Sequence, residues 1–283
     1  MEKYTLITGA CGGLGRAFVE QCADAKENLV LVGTSQKKLD GLVSDFADKF
    51  KDLKFETVVC NLGKSEDRKA LVEILDKKQI KVSKLINNAG VIIEGDLLRF
   101  SDEEISNAVE VNCIGTLDLT KKLLQRRDET ELFEVLTVAS QAAFQPMPHM
   151  GVYGATKSFL LSIMTAIAVE MKDKNVVVTT SCPSGMATTD AMKESIKSMG
   201  LNGKLTTLSA IKVAKISLKA LKKKKMIVVP GAFNKFVEAV SRPFTQTFLA
   251  KTTGKMWKKS QAKRNFWYDF IIFLKIGLTK SVM

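Results

Sequence analysis

Histidine is almost absent from this sequence, with one residue among 283. A metal site built from several histidines is therefore excluded, and a Ser/His/Asp triad would have to use His149. Cysteines are few and scattered without C-x-x-C spacing, and the start, MEKYTLITGA, does not resemble a signal peptide. We therefore expect a reduced, cytoplasmic protein with no metal site. The five thiols are Cys11, Cys22, Cys60, Cys113 and Cys182.

Acidic residues are nearly absent from the last quarter of the chain. From residue 211 onward there are 17 lysines and arginines but only two acids, Glu238 and Asp269, whereas the preceding residues are close to neutral. This asymmetry predicts an anionic partner or surface, such as membrane headgroups, nucleic acid or an acidic carrier. A solvated basic face is the simpler interpretation. The tail lacks a recognisable nucleic-acid-binding module, so we expect no nucleic-acid partner.

Short apolar runs typical of strands alternate with longer helical stretches through most of the chain. This alternation predicts parallel strands joined by right-handed crossovers, a doubly wound α/β sheet. Ser101 and Glu104 form a capping box before one long helix, predicted over residues 101–127. The predicted strands are 4–8, 28–33, 54–60, 83–88, 133–140, 175–182 and 226–230, and the other predicted helices are 13–24, 36–50, 65–78, 154–172 and 206–222.

The pattern changes after Pro230, which divides the chain into a main α/β domain, residues 1–230, and a basic, aromatic-rich helical extension, residues 231–283. Its most apolar run, residues 266–274, is too short for a transmembrane helix, which needs about 20 apolar residues. Lysines interleaved with aromatic rings such as Trp257 are typical of a helix that lies on a membrane surface. Packing against the main domain or a second subunit is the alternative.

A glycine-rich segment, TGACGGLG at residues 8–15, follows the first predicted strand. Its glycines suit a sharp turn from strand into helix, where side chains would collide with a dinucleotide pyrophosphate bound at the helix N-terminus. The position of the segment at the first strand-to-helix junction strengthens this interpretation. The predicted cofactor-binding residues here are Gly9, Cys11, Gly12, Gly13, Leu14 and Gly15.

Further motifs follow in a characteristic order: NNAG at residues 87–90, Asn112 in a long helix, Ser140 after the fifth strand, and Tyr153 one helical turn before Lys157. In the order and spacing of these motifs the chain resembles the short-chain dehydrogenase/reductase family over roughly residues 3–230. The resemblance implies a Rossmann-type sheet of about seven strands, a nicotinamide cofactor, and hydride exchange between a carbonyl and an alcohol.

The resemblance also implies a catalytic tetrad of Asn112, Ser140, Tyr153 and Lys157. Tyr153 would be the general acid in reduction, and Ser140 would hydrogen-bond the carbonyl and stabilise oxyanion charge. Asn112 would kink its helix and hold a water that links Lys157 to solvent. A free tyrosine has a pKa of about 10, so we expect Lys157 and an oxidised nicotinamide to lower the pKa of Tyr153 through their positive charge.

The residues after the second strand decide between the two nicotinamide cofactors. An NAD site has an acid there that binds the ribose hydroxyls, whereas the 2′-phosphate of NADP is repelled by a carboxylate. The chain reads LVGTSQKKL, with Thr34, Ser35 and Lys38 and no acid before Asp40. This favours NADP over NAD. However, the chain lacks the arginine that many NADP-dependent family members carry near Thr34.

The resemblance assigns the remaining cofactor contacts. Asn61 and Leu62 are similar to the family's acidic-apolar pair at the adenine, with Asn61 in place of aspartate. The segment CPSGMATTD at residues 182–190 resembles the family's P-G-x-x-x-T segment, with Ser184 in place of glycine. The other predicted contacts are Asn88, Ala89, Gly90, Tyr153, Lys157, Pro183, Ser184, Met186 and Thr188.

We therefore expect an NADP-dependent carbonyl reductase acting on an apolar, lipid-like substrate. Methionines around the pocket loops suit an irregular apolar surface, and His149 either borders the substrate or is incidental. Reduction of 3-oxoacyl thioesters and reduction of sterol or other lipid ketones both stay open. The alternative is a non-catalytic dinucleotide-binding sensor, against which the intact tetrad argues. The methionines are Met147, Met150, Met186, Met192 and Met199.

The expected partners are a small carbonyl or alcohol substrate, further copies of the chain, and an anionic membrane surface. Family members commonly pair through helices that correspond to residues 101–127 and 154–172, which implies a homodimer or homotetramer. We expect a cytoplasmic protein that also binds peripherally to a membrane through its basic tail.

Overall fold

Seven parallel strands form one sheet in the order β3-β2-β1-β4-β5-β6-β7. The computed structural model describes residues 2–186 and 207–258. The order reverses between β1 and β4, which leaves a crevice at the carboxyl ends of these strands. The predicted doubly wound, Rossmann-type α/β sheet is confirmed. The strands are β1 (Lys3–Thr8), β2 (Asn28–Gly33), β3 (Phe55–Val59), β4 (Lys81–Asn87), β5 (Phe133–Val138), β6 (Val176–Ser181) and β7 (Ile227–Val228).

Helices pack on both faces of the sheet. Alternate residues of a strand point to opposite faces, so Leu6 enters the hydrophobic core on one face and Ile7 the core on the other. Both side chains are fully buried. The helices are α1 (Gly13–Asp24), α2 (Gln36–Ala47), α3 (Ser65–Lys77), α4 (Asp102–Val109), α5 (Thr116–Arg126), α6 (Gly151–Glu170), α7 (Ala210–Lys222), α8 (Ala232–Ser241) and α9, residues 246–258.

The long helix predicted over residues 101–127 is interrupted. A wider π-helical turn, Glu110–Gly115, separates α4 from α5. The capping box is present at its start: the Glu104 amide donates to the Ser101 hydroxyl at 3.2 Å, and the Ser101 amide donates to the Glu104 carboxylate at 2.9 Å. The sequence pattern therefore predicted the start of the helix, and the resemblance implied a kink at Asn112, where the structure has the wide turn that places Asn112 in the interior.

The start of α1 differs from that of α4. Its N-cap, Gly12, has no side chain to accept a hydrogen bond, and the first turn carries no acid. The backbone N–H groups of a helix start need acceptors, and its partial positive charge favours an anion. The start of α1 is therefore suited to a phosphate group.

One described helix, α6, is long and apolar enough to cross a membrane, with 20 residues and a mean hydropathy of 1.5 in its most apolar window. It packs against β6 and the short 3₁₀ helix Gln141–Phe144. Core helices of α/β domains meet the same criteria of length and composition, so this finding is weak evidence for a span.

Candidate active site

The predicted site residues gather at the carboxyl edge of the sheet. The glycine-rich loop follows β1, the NNAG segment follows β4, Ser140 follows β5, and Pro183 follows β6. Because all these strands are parallel, their carboxyl ends lie at one edge, next to the crevice between β1 and β4. Thr188, Met192 and Met199 lie outside the described residues.

The glycine-rich loop is packed too closely for side chains at two positions. Gly9 has a φ of +63°, and a Cβ atom there would lie 2.8 Å from the Ala89 Cα. A Cβ atom on Gly15 would lie 2.1 Å from the Gly9 carbonyl oxygen. Both contacts are shorter than heavy atoms tolerate, so the shape of the loop requires glycine here.

The NNAG segment forms hydrogen bonds with this glycine-rich loop. The Asn88 side-chain amide donates to the carbonyl oxygens of Thr8 at 3.1 Å and Gly9 at 3.0 Å. In return, the Thr8 hydroxyl accepts hydrogen bonds from the backbone amides of Asn88 at 3.0 Å and Ala89 at 3.1 Å. Asn88 and Ala89 therefore hold the glycine-rich loop in position for a dinucleotide.

At the end of β2, two cations lie near the predicted ribose site. Burial raises the pKa of the Cys11 thiol, and the positive charges of Lys38 and Arg16 lower it; Arg16 itself is paired with Asp45 at 2.6 Å. The Ser35 hydroxyl caps α2 and accepts from the Lys38 amide at 3.5 Å. Arg16 is a group that the sequence analysis missed, because it comes from α1 instead of the segment around Thr34.

Asn61 and Leu62 form a turn after β3. The Gly63 amide donates to the Asn61 Oδ1 at 3.0 Å, which leaves the Asn61 Nδ2 group as the donor available to an adenine. The Leu62 side chain is only 4% exposed and packs in the core. Leu62 can therefore contact a cofactor through its backbone and not through its side chain.

Tyr153 and Lys157 lie on the first two turns of α6, facing the end of β5. The Lys157 ammonium is buried, donates to the Val138 carbonyl oxygen at 2.9 Å, and lies 5.8 Å from the centre of the Tyr153 ring. The Ser140 hydroxyl oxygen accepts from the Ala142 amide at 3.1 Å. The same hydroxyl also hydrogen-bonds with the Tyr153 side chain.

Burial dominates the protonation of both Tyr153 and Lys157. It raises the pKa of Tyr153, and hydrogen bonding with Ser140 lowers it by less. It also lowers the pKa of Lys157 to about 8. The expectation that Lys157 lowers the pKa of Tyr153 is therefore wrong for the protein without cofactor. The Tyr153 phenol is protonated at neutral pH.

The Asn112 side chain joins three elements. Its Nδ2 group donates to the Val91 carbonyl oxygen at 2.9 Å and to the Thr156 hydroxyl at 3.0 Å, and its Oδ1 accepts from the Val91 amide at 2.8 Å. A Cβ atom on Gly90 would lie 3.3 Å from both the Asn112 Oδ1 and the Lys157 Nζ. Asn112 thus positions the segment after β4 against α6, and the water that it would hold for Lys157 stays a prediction.

The segment after β6 begins beside Ser140. The Gln141 amide donates to the Pro183 carbonyl oxygen at 2.8 Å, and Met186 packs against the core that contains α1. Ser184 is half-buried. Pro183, Ser184 and Met186 therefore lie close enough to β5 to border the crevice, as the resemblance implied.

The thiols differ in exposure. Cys11, in the glycine-rich loop, is half-exposed, and its sulfur lies 3.7 Å from the position of a Cβ atom on Gly33. Burial raises the pKa of Cys60 and Cys182 to about 12. The buried thiols are Cys22, Cys60, Cys113 and Cys182.

Comparison with known sequences agrees with this geometry. The sequence profile of the family described as short chain dehydrogenase matches residues 3–199. The chain belongs to the short-chain dehydrogenase family. This family binds a nicotinamide dinucleotide, and the glycine-packed loop and the uncapped start of α1 fit that cofactor.

A curated relative in this family is the very-long-chain 3-oxoacyl-CoA reductase of Neurospora crassa, which is 34% identical over 62% of this chain and 53% of its own length. The chain thus spans about half the length of the curated relatives it matches.

Solved structures share the fold. A short-chain dehydrogenase from Sphingobium yanoikuyae in complex with NADPH has a TM-score of 0.70 and 23% identity, over 87% of this chain and 97% of its own. A short-chain dehydrogenase/reductase from Burkholderia phymatum in complex with NAD has a TM-score of 0.73 and 21% identity, over 86% and 93%. Both cofactors thus occur among the structural neighbours.

Proposed function

We propose that this short-chain dehydrogenase is an NADP-dependent reductase that converts a carbonyl group of an apolar substrate into an alcohol. The observation that carries the proposal is the convergence of Ser140, Tyr153 and Lys157 at the carboxyl edge of the sheet, with burial raising the pKa of Tyr153. A protonated phenol is the proton donor that carbonyl reduction requires.

Ser140, Tyr153 and Lys157 have different roles in the proposed reduction. The nicotinamide, when bound, supplies the hydride. Ser140 donates a hydrogen bond to the substrate carbonyl and stabilises the charge that develops on its oxygen. Tyr153 gives its proton to that oxygen. Lys157, held by the Val138 carbonyl, offers its remaining protons to the cofactor and to Tyr153.

The preference for NADP is supported by charge at the end of β2. Lys38 and Arg16 lie close to Cys11, and the nearest following acid, Asp40, accepts a hydrogen bond from the Gln36 side chain at 2.7 Å. Arg16 is already paired with the Asp45 carboxylate at 2.6 Å, so Lys38 is the cation that a 2′-phosphate would meet there. Titration should show tighter binding of NADPH than NADH, and Lys38→Ala should weaken NADPH alone. Equal affinities for both cofactors would overturn the preference.

A lipid-like substrate, such as a 3-oxoacyl thioester, is supported by the apolar part of a cleft beside the segment that follows Ser140. The cleft has a volume of about 280 Å³; its apolar lining comes from Phe144, Phe244 and Leu249, and its polar lining comes from Glu238, Ser241, Arg242 and Gln246. Phe144 lies four residues after Ser140, and Phe244 and Leu249 belong to the C-terminal helices and their connection. An acyl chain reaching from the catalytic centre would find apolar contacts in this direction.

We also propose that the extension after Pro230 binds an anionic membrane surface. Exposed apolar side chains on α8 and α9 include Phe236, Phe248 and Met256, at 63%, 51% and 54% exposure. They are interspersed with cations, whereas the acid Glu238 is buried and paired with Arg242 at 2.7 Å. Apolar side chains among cations suit the interface of an anionic bilayer. The other cations of this stretch are Lys235, Lys251, Lys255 and Lys258.

Pairing of two copies is supported by α6. Although this helix is strongly apolar, Phe159 and Val169 remain exposed on it, at 37% and 63%. A second copy that covers this face would bury them, and it would produce the homodimer or homotetramer that the family resemblance implies.

The proposed reaction is tested by adding NADPH to the purified protein with long and short 3-oxoacyl thioesters, keto-steroids and simple ketones. We expect NADPH oxidation with a higher kcat/KM for the long or bulky apolar substrates than for the short ones. Binding of NADPH without oxidation by any substrate would instead support a dinucleotide sensor.

A further inference from the structure

Three segments that are far apart in the sequence meet next to the catalytic helix. They are the loop after β4 with Asp96, the loop before α6 with His149, and α9 with Trp257. The His149 Nδ1 lies 2.7 Å from the Asp96 Oδ1, and the His149 ring stacks on Trp257 with centroids 5.4 Å apart and planes 16° apart. The single histidine of the chain is therefore held between a carboxylate and an aromatic ring.

Backbone contacts reinforce the same junction. The Gly95 amide donates to the His149 carbonyl oxygen at 2.7 Å, and the Thr253 hydroxyl oxygen, which lies 2.8 Å from the Leu249 carbonyl oxygen of its own helix, is 3.1 Å from the Pro146 carbonyl oxygen. A Cβ atom on Gly254 would lie 3.3 Å from the Pro148 ring, so α9 approaches this loop closely. The C-terminal helix thus touches the loop at several successive points.

His149 adopts a conformation that needs such support. Its φ is +66°, in the left-handed region that non-glycine residues rarely adopt. Strained residues of this kind persist when the surrounding structure determines them. Here, the stabilising contacts come from the Asp96 loop and from Trp257.

We propose that Trp257 and His149 are positioning residues that hold the loop of residues 145–150 in place and thereby shape the substrate entrance. The inference rests on the proposed reductase function. Tyr153 itself is held independently, since α6 is anchored through Lys157 to Val138 and through Thr156 to Asn112. We call the contacts among Asp96, His149 and Trp257 the clamp. Loss of the clamp should therefore change substrate binding more than proton transfer.

The kinetic test compares Trp257→Ala and His149→Ala with the wild type. Each should raise KM for a bulky apolar ketone roughly fivefold, the scale of one aromatic stack, and leave kcat and NADPH affinity unchanged. Trp257→Phe, which keeps an aromatic ring, should restore most of the affinity. The double variant should be no worse than either single one, because both changes break the same contact.

The matched control is Met256→Ala, which shortens an exposed apolar side chain next to Trp257 on α9. It should leave KM unchanged. An equal rise in KM for Met256→Ala, or additive effects of the Trp257 and His149 changes, would overturn the proposal.

A second measurement needs no turnover, so it separates failure of the clamp from failure of the reductase function. The chain has two tryptophans, and in a Trp267→Phe background the fluorescence comes from Trp257 alone. Since the stacked imidazole quenches the indole, His149→Ala should raise and shift the emission. Identical emission with and without His149 would show that the stack does not form, whether or not any substrate is reduced.

Discussion

The two sides of the crevice are built in different ways. On the cofactor side, the shape depends on backbone atoms and on missing side chains, as at Gly9 and Gly15, where a Cβ atom would collide with neighbouring backbone. On the substrate side, side chains from three separate segments meet at Asp96, His149 and Trp257. The difference teaches that the cofactor side is determined locally by the chain, whereas the substrate side depends on how distant segments pack.

The strongest test changes Tyr153, where the two sides meet. Tyr153→Phe removes the proton donor and keeps the ring, so kcat for carbonyl reduction should fall by about 10²–10⁴-fold. NADPH affinity, measured by titration, should stay the same. Tyr4→Phe is the control, because Tyr4 is buried at the opposite end of β1. Undiminished turnover by Tyr153→Phe would remove this residue from the mechanism.

The cofactor side is tested by a pair of glycine substitutions. Gly15→Ala places a Cβ atom 2.1 Å from the Gly9 carbonyl oxygen, whereas Gly41, on α2, has no atom within 4 Å of the new Cβ. We expect Gly15→Ala to weaken NADPH binding at least about tenfold and to destabilise the fold by about 1–3 kcal/mol. Gly41→Ala should stabilise it by up to about 1 kcal/mol. Equal NADPH affinity in both variants would contradict the close packing of the loop.

The boundary between the two sides is tested by pH. Burial lowers the pKa of Lys157 to about 8 from an ordinary 10.5, so its charge destabilises the folded protein below pH 8, and this cost is relieved as the pH rises from 8 toward 10.5. Relative to Lys157→Met, the wild type should gain up to about 1.4 kcal/mol of unfolding free energy per pH unit in that range. Denaturant unfolding at several pH values measures this slope.

Lys84→Met is the matched control for this slope. Burial is the largest single influence and lowers the pKa of Lys84, but its neighbours Glu27, Cys22 and Glu134 together outweigh burial and raise the pKa above its ordinary value. The folded and unfolded states therefore both keep this proton between pH 8 and 10, and the difference from wild type should be flat. The same slope in both lysine variants would show that burial of Lys157 is not the cause.

The smallest expected effect concerns the outer surface of the substrate side. Phe236→Ser combined with Phe248→Ser should reduce binding to vesicles that contain anionic lipid roughly fivefold, because apolar area is lost from the interface. Val59→Ser, which changes an exposed apolar residue on β3 at the far edge of the sheet, is the control. Binding should also weaken in high salt. No loss in the double serine variant would argue against membrane docking through α8 and α9.

The sequence predicted the sheet because its signals are local. Alternation of strands and helices determined the seven strands, and β2 was predicted with its observed bounds, Asn28–Gly33. The glycine-rich loop and the tetrad were predictable because the chemistry of the cofactor restricts residue type at fixed spacing. β7 is shorter than predicted, since only Ile227 and Val228 pair with β6.

What the sequence could not predict depends on tertiary packing. The wide turn at Glu110–Gly115 carries no recognised signal in the periodicity. The direction of the Tyr153 pKa shift follows from burial, which outweighs any effect of Lys157. Arg16 is brought toward the end of β2 by α1, and Trp257 reaches His149 across more than a hundred residues. The residue types that make such contacts give no signal of the contact within their own segments of the sequence.

The half-exposed thiol of Cys11 has a practical consequence for chemical labelling. Because the other four cysteines are buried, a bulky alkylating reagent should react first in the glycine-rich loop and then obstruct that loop. A bound dinucleotide would shield the same sulfur. The rate of alkylation would therefore measure the fraction of the protein that has bound a dinucleotide, and the measurement needs no substrate.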